Sequence, residues 1–87
     1  MIANVEIYFA SWCPYCRRAK ELLDEKNINY TSIDVDADPS ERDNMQKRGA
    51  GSTIPQIFIN DVAIGGCDDL FALDAAGKLD QLLGKTK

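Results

Sequence analysis

The chain has 87 residues, a formal net charge of −4 at neutral pH and no histidine. This length predicts one domain, residues 1–87, and a hydrophobic content of 45% is enough for one compact core. The lack of histidine excludes Ser-His-Asp and Cys-His catalysis and His-ligated metals, and the acidic balance argues against nucleic-acid binding.

The N-terminal stretch and the cysteine count predict the compartment. No apolar run is long enough to span a membrane, so we expect no membrane association. The first residues lack the basic and apolar regions of a secretory signal. Three cysteines are an odd number and too few for a secreted disulfide scaffold. We therefore expect a cytoplasmic protein, in which closely spaced cysteines are catalytic or bind metal.

A strand and a helix are predicted first. Alternating apolar residues at 5, 7 and 9 indicate a strand, and Tyr8 gives its other face some apolar character. A helix opens at Cys13-Pro14-Tyr15-Cys16 and ends near Asn27. Its apolar side consists of Tyr15, Ala19, Leu22 and Leu23. We expect most of this helix to serve packing and only its first turn to do chemistry.

Residues 30–35 predict a second strand, with Ile33 and Val35 pointing inward. Because a helix separates it from the first strand, the two strands should pair in parallel.

A second, weakly apolar helix follows. Asp38 is expected to cap it, Pro39 to take its first position and Glu41 to complete a capping box. Met45 is its main apolar anchor, so this helix should be the least firmly packed. A loop at residues 49–52 ends it.

The C-terminal part predicts a hairpin and two helical segments. Strands at residues 57–59 and 62–64 flank the turn signal Asn60-Asp61. Cys67 then opens a helix that Gly77 ends. We expect its inward side chains to be Leu70, Phe71 and Leu73, and a last helical turn to use Leu79, Leu82 and Leu83. Residues 85–87 form a polar tail.

This order of elements predicts an α/β fold. A mixed four-stranded sheet with helices on both faces accommodates it. We expect the strand order 2-1-3-4, with the third strand antiparallel to the first.

Two thiols at a strand-to-helix junction predict a dithiol redox site. The first turn of a helix leaves N–H groups unpaired and carries partial positive charge, which favours a thiolate, and the thiolate is the nucleophile. Half of a zinc site is an alternative, but zinc takes four ligands and the chain adds only Cys67. A structural disulfide is a second alternative that a reducing compartment disfavours.

Other candidates have plain structural interpretations as well. Cys67 is expected to be a small, partly buried residue, with a second redox role as the alternative. Asp68 and Asp69 can cap a helix. Thr53 can be an ordinary strand-end residue, and Trp12 a partly exposed wall beside Cys13.

Three motifs carry a family resemblance. Cys13-Pro14-Tyr15-Cys16, Thr53-Ile54-Pro55 and Gly65-Gly66-Cys67-Asp68-Asp69, in this order and spacing, resemble a dithiol glutaredoxin of the small bacterial class. The likeness runs from Asn4 to about Leu83. It implies a thioredoxin-like fold and a monomeric enzyme that reduces protein disulfides and glutathione mixed disulfides, with glutathione as co-substrate and no cofactor.

The resemblance also implies a role for each motif. Cys13 would be the nucleophile and Cys16 the resolving thiol. A cis Ile54–Pro55 bond would turn the Ile54 backbone toward the peptide backbone of glutathione. N–H groups at a helix start and an Asp would take its γ-glutamyl end. The implied glutathione-binding residues are Tyr15, Thr53, Ile54, Pro55, Gly66, Cys67, Asp68 and Asp69.

Two positions depart from the family pattern. Many glutaredoxins have Lys where this chain has Ala10, and a basic residue in the region of Gly51. Arg17, Arg18 or Lys47 are the candidates to replace those cations. Two other functions stay open at this point: a glutathione-ligated iron–sulfur cluster carrier, and a glutaredoxin-like protein reduced by thioredoxin reductase.

Overall fold

The computed structural model describes residues 3–84, so the predicted polar tail at residues 85–87 lies outside the described part. The strands are β1 (Val5–Phe9), β2 (Thr31–Asp34), β3 (Gln56–Ile59) and β4 (Val62–Gly65). The helices are α1 (Pro14–Glu25), α2 (Ser40–Lys47), α3 (Cys67–Ala75) and α4 (Leu79–Leu82). Among the helices within residues 3–84, none combines the length and apolarity needed to cross a membrane.

The four strands form one sheet in the order β2-β1-β3-β4, as predicted. β1 pairs in parallel with β2 and antiparallel with β3, which pairs antiparallel with β4. The ends of β1, β2 and β4 and the start of β3 therefore lie together at one end of the sheet. The loops at this end carry all the sequence motifs.

Apolar side chains cover both faces of the sheet. Since successive residues of a strand point to opposite faces, Val5 and Ile7 join the larger core, which α1, α3 and α4 close. Tyr8 points to the other face and packs with Phe58 and Met45 of α2. Tyr8 is only 2% exposed, so the second face of β1 is more deeply buried than its sequence suggests.

The start of α2 differs from the prediction. The helix begins at Ser40, with Pro39 before it, and no capping box forms. The Asp38 carboxylate accepts hydrogen bonds from the backbone N–H and the hydroxyl of Ser40. Glu41 accepts from the Asn44 side chain instead of reaching back, because that amide lies one turn ahead on the same face. Met45 is fully buried, as expected.

The inward face of α3 is narrower than predicted. Leu70 is fully buried and Leu73 is partly buried, but Phe71 is 36% exposed. One residue beyond Leu70 is about 100° further around a helix, so Phe71 leaves the packed stripe. The Arg18 guanidinium lies 5.6 Å from the centre of its ring.

The chain after α3 agrees with the prediction except at Leu82. Gly77, with φ of 74°, follows the end of α3. Leu79 and Leu83 are buried in the last helical turn, whereas Leu82 is 39% exposed.

In β2, Ile33 is half-buried, and Val35 is buried just beyond the end of the strand.

Candidate active site

The local chain places Cys13 at the first turn of α1. The backbone N–H of Cys13 donates to the Ala10 carbonyl after β1, and Pro14 begins the helix. Cys13 is itself the N-cap: its Sγ accepts a hydrogen bond from the Cys16 backbone N–H at 3.2 Å. A capping atom at this position accepts a hydrogen bond from an otherwise unpaired backbone N–H, and it interacts favourably with the partial positive charge of the helix end. The sulfur of Cys13 therefore sits where negative charge is stabilised.

Cys16 lies in a different environment from Cys13, although both are free thiols. Cys16 is 2% exposed. Burial, and after it a hydrogen bond with Cys13, raises the pKa of Cys16 to about 12. At neutral pH Cys16 therefore keeps its proton.

A cavity of about 290 Å³ adjoins both thiols on the α1 side and contains a cation that the sequence analysis missed. Lys20 and Arg17 line it. The Lys20 ammonium lies 3.2 Å from the centre of the Phe9 ring, and its charge acts on Cys16 to lower the pKa that burial raises. Lys20 follows Cys16 by four residues, so helical spacing alone could have pointed to it. Arg18 instead lies over Phe71.

A larger cavity of about 450 Å³ lies where the loops before β3 and after β4 meet α1. The eight residues predicted to bind glutathione all line it, namely Tyr15, Thr53, Ile54, Pro55, Gly66, Cys67, Asp68 and Asp69. Gly51, Gln56 and Gly65 complete the lining. The geometry thus brings together segments more than 30 residues apart in the chain, while the role of each residue stays a prediction.

The loop before β3 lies directly against Cys13. The Ile54–Pro55 peptide bond is cis, as the resemblance implied. The Cys13 thiol points to the Ile54 carbonyl oxygen at 3.9 Å, the weak contact expected of an S–H donor. At Gly66 an added Cβ would approach the Pro55 carbonyl oxygen to 3.3 Å. A side chain at Gly66 would therefore crowd this side of the cavity.

The two acidic residues at the start of α3 have different surroundings. The Asp69 carboxylate accepts a hydrogen bond from the Gly66 N–H at 3.1 Å and so caps the helix. A Cβ at Gly65 would lie 2.2 Å from Asp69 Oδ2, and Gly65 has φ of 118°, so Gly65 makes room for that carboxylate. Asp68 is exposed, and its carboxylate has no hydrogen-bond or ion-pair partner among residues 3–84. Asp68 is thus the carboxylate available to a ligand.

Gln56 is a second residue that the sequence analysis missed. It is 5% exposed, and its Nε2 donates to Thr53 Oγ1 at 3.3 Å at the cavity wall. A Cβ on Gly51 would lie 3.4 Å from the same nitrogen. A polar residue within an otherwise apolar strand was the available signal.

Cys67, predicted to be partly buried, is buried at the start of α3 because it joins the larger core, and burial raises the pKa of its thiol. Over the described range 3–84, no three His, Cys, Asp or Glu side chains are grouped so as to hold a metal ion.

A dithiol at a helix start, beside a cis-proline loop on this sheet, defines a thiol–disulfide oxidoreductase of thioredoxin-like fold. The glutaredoxin family model matches residues 5–64. The chain is 52% identical to glutaredoxin 3 of Escherichia coli K12, over 94% of this chain and 99% of that one. It is 48% identical to a glutaredoxin of Pseudomonas aeruginosa, over 91% and 94% of the two chains.

Solved structures agree with these sequence relatives. The solution structure of glutaredoxin from Brucella melitensis is 50% identical with a TM-score of 0.83, covering 99% of this chain and 94% of that one. A crystal structure of a buckwheat glutaredoxin–glutathione complex is 27% identical with a TM-score of 0.87, covering 95% and 78%. The chain belongs to the glutaredoxin family, and its activity is glutathione-dependent thiol–disulfide exchange.

Proposed function

We propose that Cys13 is the nucleophile and Cys16 the resolving thiol in reducing both protein–glutathione mixed disulfides and protein disulfides. The contrast between the two sulfurs carries this assignment. Cys13 Sγ accepts the Cys16 backbone N–H at the helix start, whereas burial raises the pKa of Cys16 to about 12. A thiol that keeps its proton does not compete for the first attack.

With a glutathionylated protein, the Cys13 thiolate attacks the glutathione sulfur. A Cys13–glutathione disulfide forms, and the protein thiolate leaves and takes up a proton. The thiolate of a second glutathione then attacks the glutathione sulfur held on Cys13. Glutathione disulfide leaves, and the Cys13 thiolate is restored.

With a protein disulfide, Cys13 forms a mixed disulfide with one of the two protein sulfurs. Cys16 then loses its proton and attacks Cys13 Sγ, which closes the Cys13–Cys16 disulfide and releases the reduced protein. Two glutathione molecules reduce the enzyme again and leave as glutathione disulfide. A supply of reduced glutathione is found in a reducing compartment, so a cytoplasmic location fits this cycle.

Glutathione would occupy the 450 Å³ cavity. Its peptide backbone would pair with Ile54, as an added strand does. The N–H groups of Cys67 and Asp68 at the start of α3 would take its γ-glutamyl carboxylate, and the Asp68 carboxylate its ammonium. The buckwheat relative is described as a glutathione complex, which supports glutathione as the ligand. We expect a monomer of one domain to carry out this reaction.

The glycyl carboxylate would lie near Gln56. The cations expected at Ala10 and Gly51 are absent, and Lys20 and Arg17 lie beside the thiols in the other cavity. Gln56 Nε2 uses one N–H on Thr53 Oγ1 and has a second to donate. A neutral donor replaces a cation in this arrangement.

Serine variants of the two cysteines test the assignment. Cys13→Ser is expected to abolish both reactions, because the first attack needs this sulfur. Cys16→Ser should retain reduction of a glutathionylated peptide and lose the two-cysteine route for a protein disulfide. Initial rates with each substrate at fixed glutathione measure this, and Cys67→Ser, which keeps the backbone N–H proposed to bind glutathione, is the matched thiol control. Retention of glutathionyl removal by Cys13→Ser would refute the assignment.

A further inference from the structure

Trp12 is an exposed aromatic residue directly before the proposed nucleophile. It is 65% exposed, the largest value among the exposed large hydrophobic side chains in the part of the chain that the structure describes. Its indole N–H donates to the Asp36 carboxylate. Since the N–H is the only hydrogen-bonding group of an indole, Asp36 satisfies it, and the exposed ring can contact a second molecule through its apolar face.

The sheet order places Trp12 on the opposite flank of Cys13 from the glutathione cavity. Asp36 follows β2, and Cys13 follows β1, its neighbour in the sheet. The cavity lies on the other side of β1, at Pro55 before β3 and Gly66 after β4. Neither cavity beside the cysteines includes Trp12 in its lining. Cys13 therefore stands between two separate surfaces.

A mixed-disulfide substrate has two parts joined at the sulfur that Cys13 attacks. If the glutathionyl part fills the cavity, as the proposed function holds, the polypeptide part has to leave toward another flank. The Trp12 ring is the exposed apolar surface next to Cys13 on the β2 flank.

The charge beside Trp12 indicates which polypeptide fits. Residues 31–41, which include the Asp36 that contacts Trp12, hold Asp34, Asp36, Asp38 and Glu41 and no Lys or Arg; the next residue, Arg42, donates to the Ser52 carbonyl oxygen. None of these carboxylates has an ion-pair partner within residues 3–84. A cationic side chain is attracted to such a loop and also to the face of an indole.

We propose that the Trp12 ring, with the Asp36 carboxylate at its edge, binds the polypeptide part of the substrate. It selects segments that carry Lys or Arg beside the disulfide cysteine. Trp12 is a specificity residue in this role, because it touches the part of the substrate that does not react.

Two glutathionylated peptides that differ in one residue test this. The residue after the cysteine is Lys in one and Glu in the other, and the readout is the ratio of their kcat/KM values. The wild-type ratio should favour the Lys peptide. Trp12→Ala should lower it about threefold, in the range of an exposed cation–π contact. Asp36→Asn, which removes the charge and keeps an acceptor for the indole N–H, should also lower it.

Val62→Ala is the matched control. Val62 is 60% exposed and starts β4 at the opposite end of the sheet, so the ratio should stay at the wild-type value. A wild-type ratio near one, or an unchanged ratio in Trp12→Ala, would overturn this inference alone. If wild type turns over neither peptide nor a small glutathione mixed disulfide, the proposed function fails instead.

Discussion

Cys13 and Cys16 carry the same thiol group in two different environments. Cys13 Sγ is the cap of α1 and accepts a backbone N–H. Cys16 lies in the same buried cluster, and there burial raises the pKa of its thiol. A spacing of three residues on one helical turn thus gives two thiols the different surroundings from which we propose a nucleophile and a resolving thiol.

At the same scale, substitution of the two neighbouring aspartates is expected to affect different properties, namely stability and glutathione binding. Asp69→Ala removes the acceptor for the Gly66 N–H, so the free energy of unfolding should fall by about 1 kcal/mol. Asp68→Ala removes an exposed carboxylate, so stability should change by less than about 0.5 kcal/mol. Its KM for glutathione should rise about tenfold through loss of a charge-assisted bond. Urea unfolding and glutathione titration measure the two effects, and an unchanged KM in Asp68→Ala would contradict the assigned role.

One lysine forms ion pairs that link α1 to α3 and α4 on the larger-core face of the sheet. Lys26, at the C-cap of α1, lies 2.8 Å from a carboxylate oxygen of Asp74 in α3 and of Asp80 in α4. Hydrogen bonds to Asp74 and then Asp80 raise the pKa of Lys26. The end of α1 away from the thiols is thereby held to the two C-terminal helices.

At the element scale, Lys26→Met is expected to lower the free energy of unfolding by about 1 kcal/mol at pH 7. Because the folded-state pKa of Lys26 is raised, this contribution is complete below the ordinary value of 10.5 and is lost as the pH rises through the higher folded-state value. Urea unfolding at pH 7, with and without 1 M salt, measures the difference, which salt should reduce.

Lys47→Met is the matched control for that comparison. Lys47 is exposed and forms no ion pair within residues 3–84. Its loss should change the free energy of unfolding by less than about 0.5 kcal/mol. Equal losses in the two variants would show that the Lys26 ion pairs do not stabilise the fold.

The fold brings loops that are distant in the sequence together at one end of the sheet. The motif at residues 13–16, the loop before β3 and the start of α3 meet there because β1, β3 and β4 are adjacent. Alternating and helical patterns predicted these elements, and the resemblance to glutaredoxins implied the residues that line the cavity. The strands and helices could be predicted from the sequence because periodicity and turn residues are local properties.

The features that the sequence did not predict depend on packing between distant elements. Phe71 continues an apolar pattern, yet α3 buries only the stripe through Leu70. Lys20 and Gln56 belong to the site because α1 and β3 turn them toward cavities. The separation of Asp68 from Asp69 rests on the Gly66 N–H, which only the folded loop presents. Spacing and polarity are local signals for Lys20 and Gln56, but only the folded structure shows that these side chains line the cavities.

Trapping the first covalent intermediate tests the central claim most directly. The Cys16→Ser variant is mixed with a glutathionylated peptide in the absence of free glutathione, and its adducts are located by peptide mapping and mass spectrometry. We expect one glutathionyl group, on Cys13, and none on Cys67. A glutathionyl group on Cys67, or an adduct of the peptide itself as the main product, would contradict Cys13 as the acceptor of the glutathionyl group.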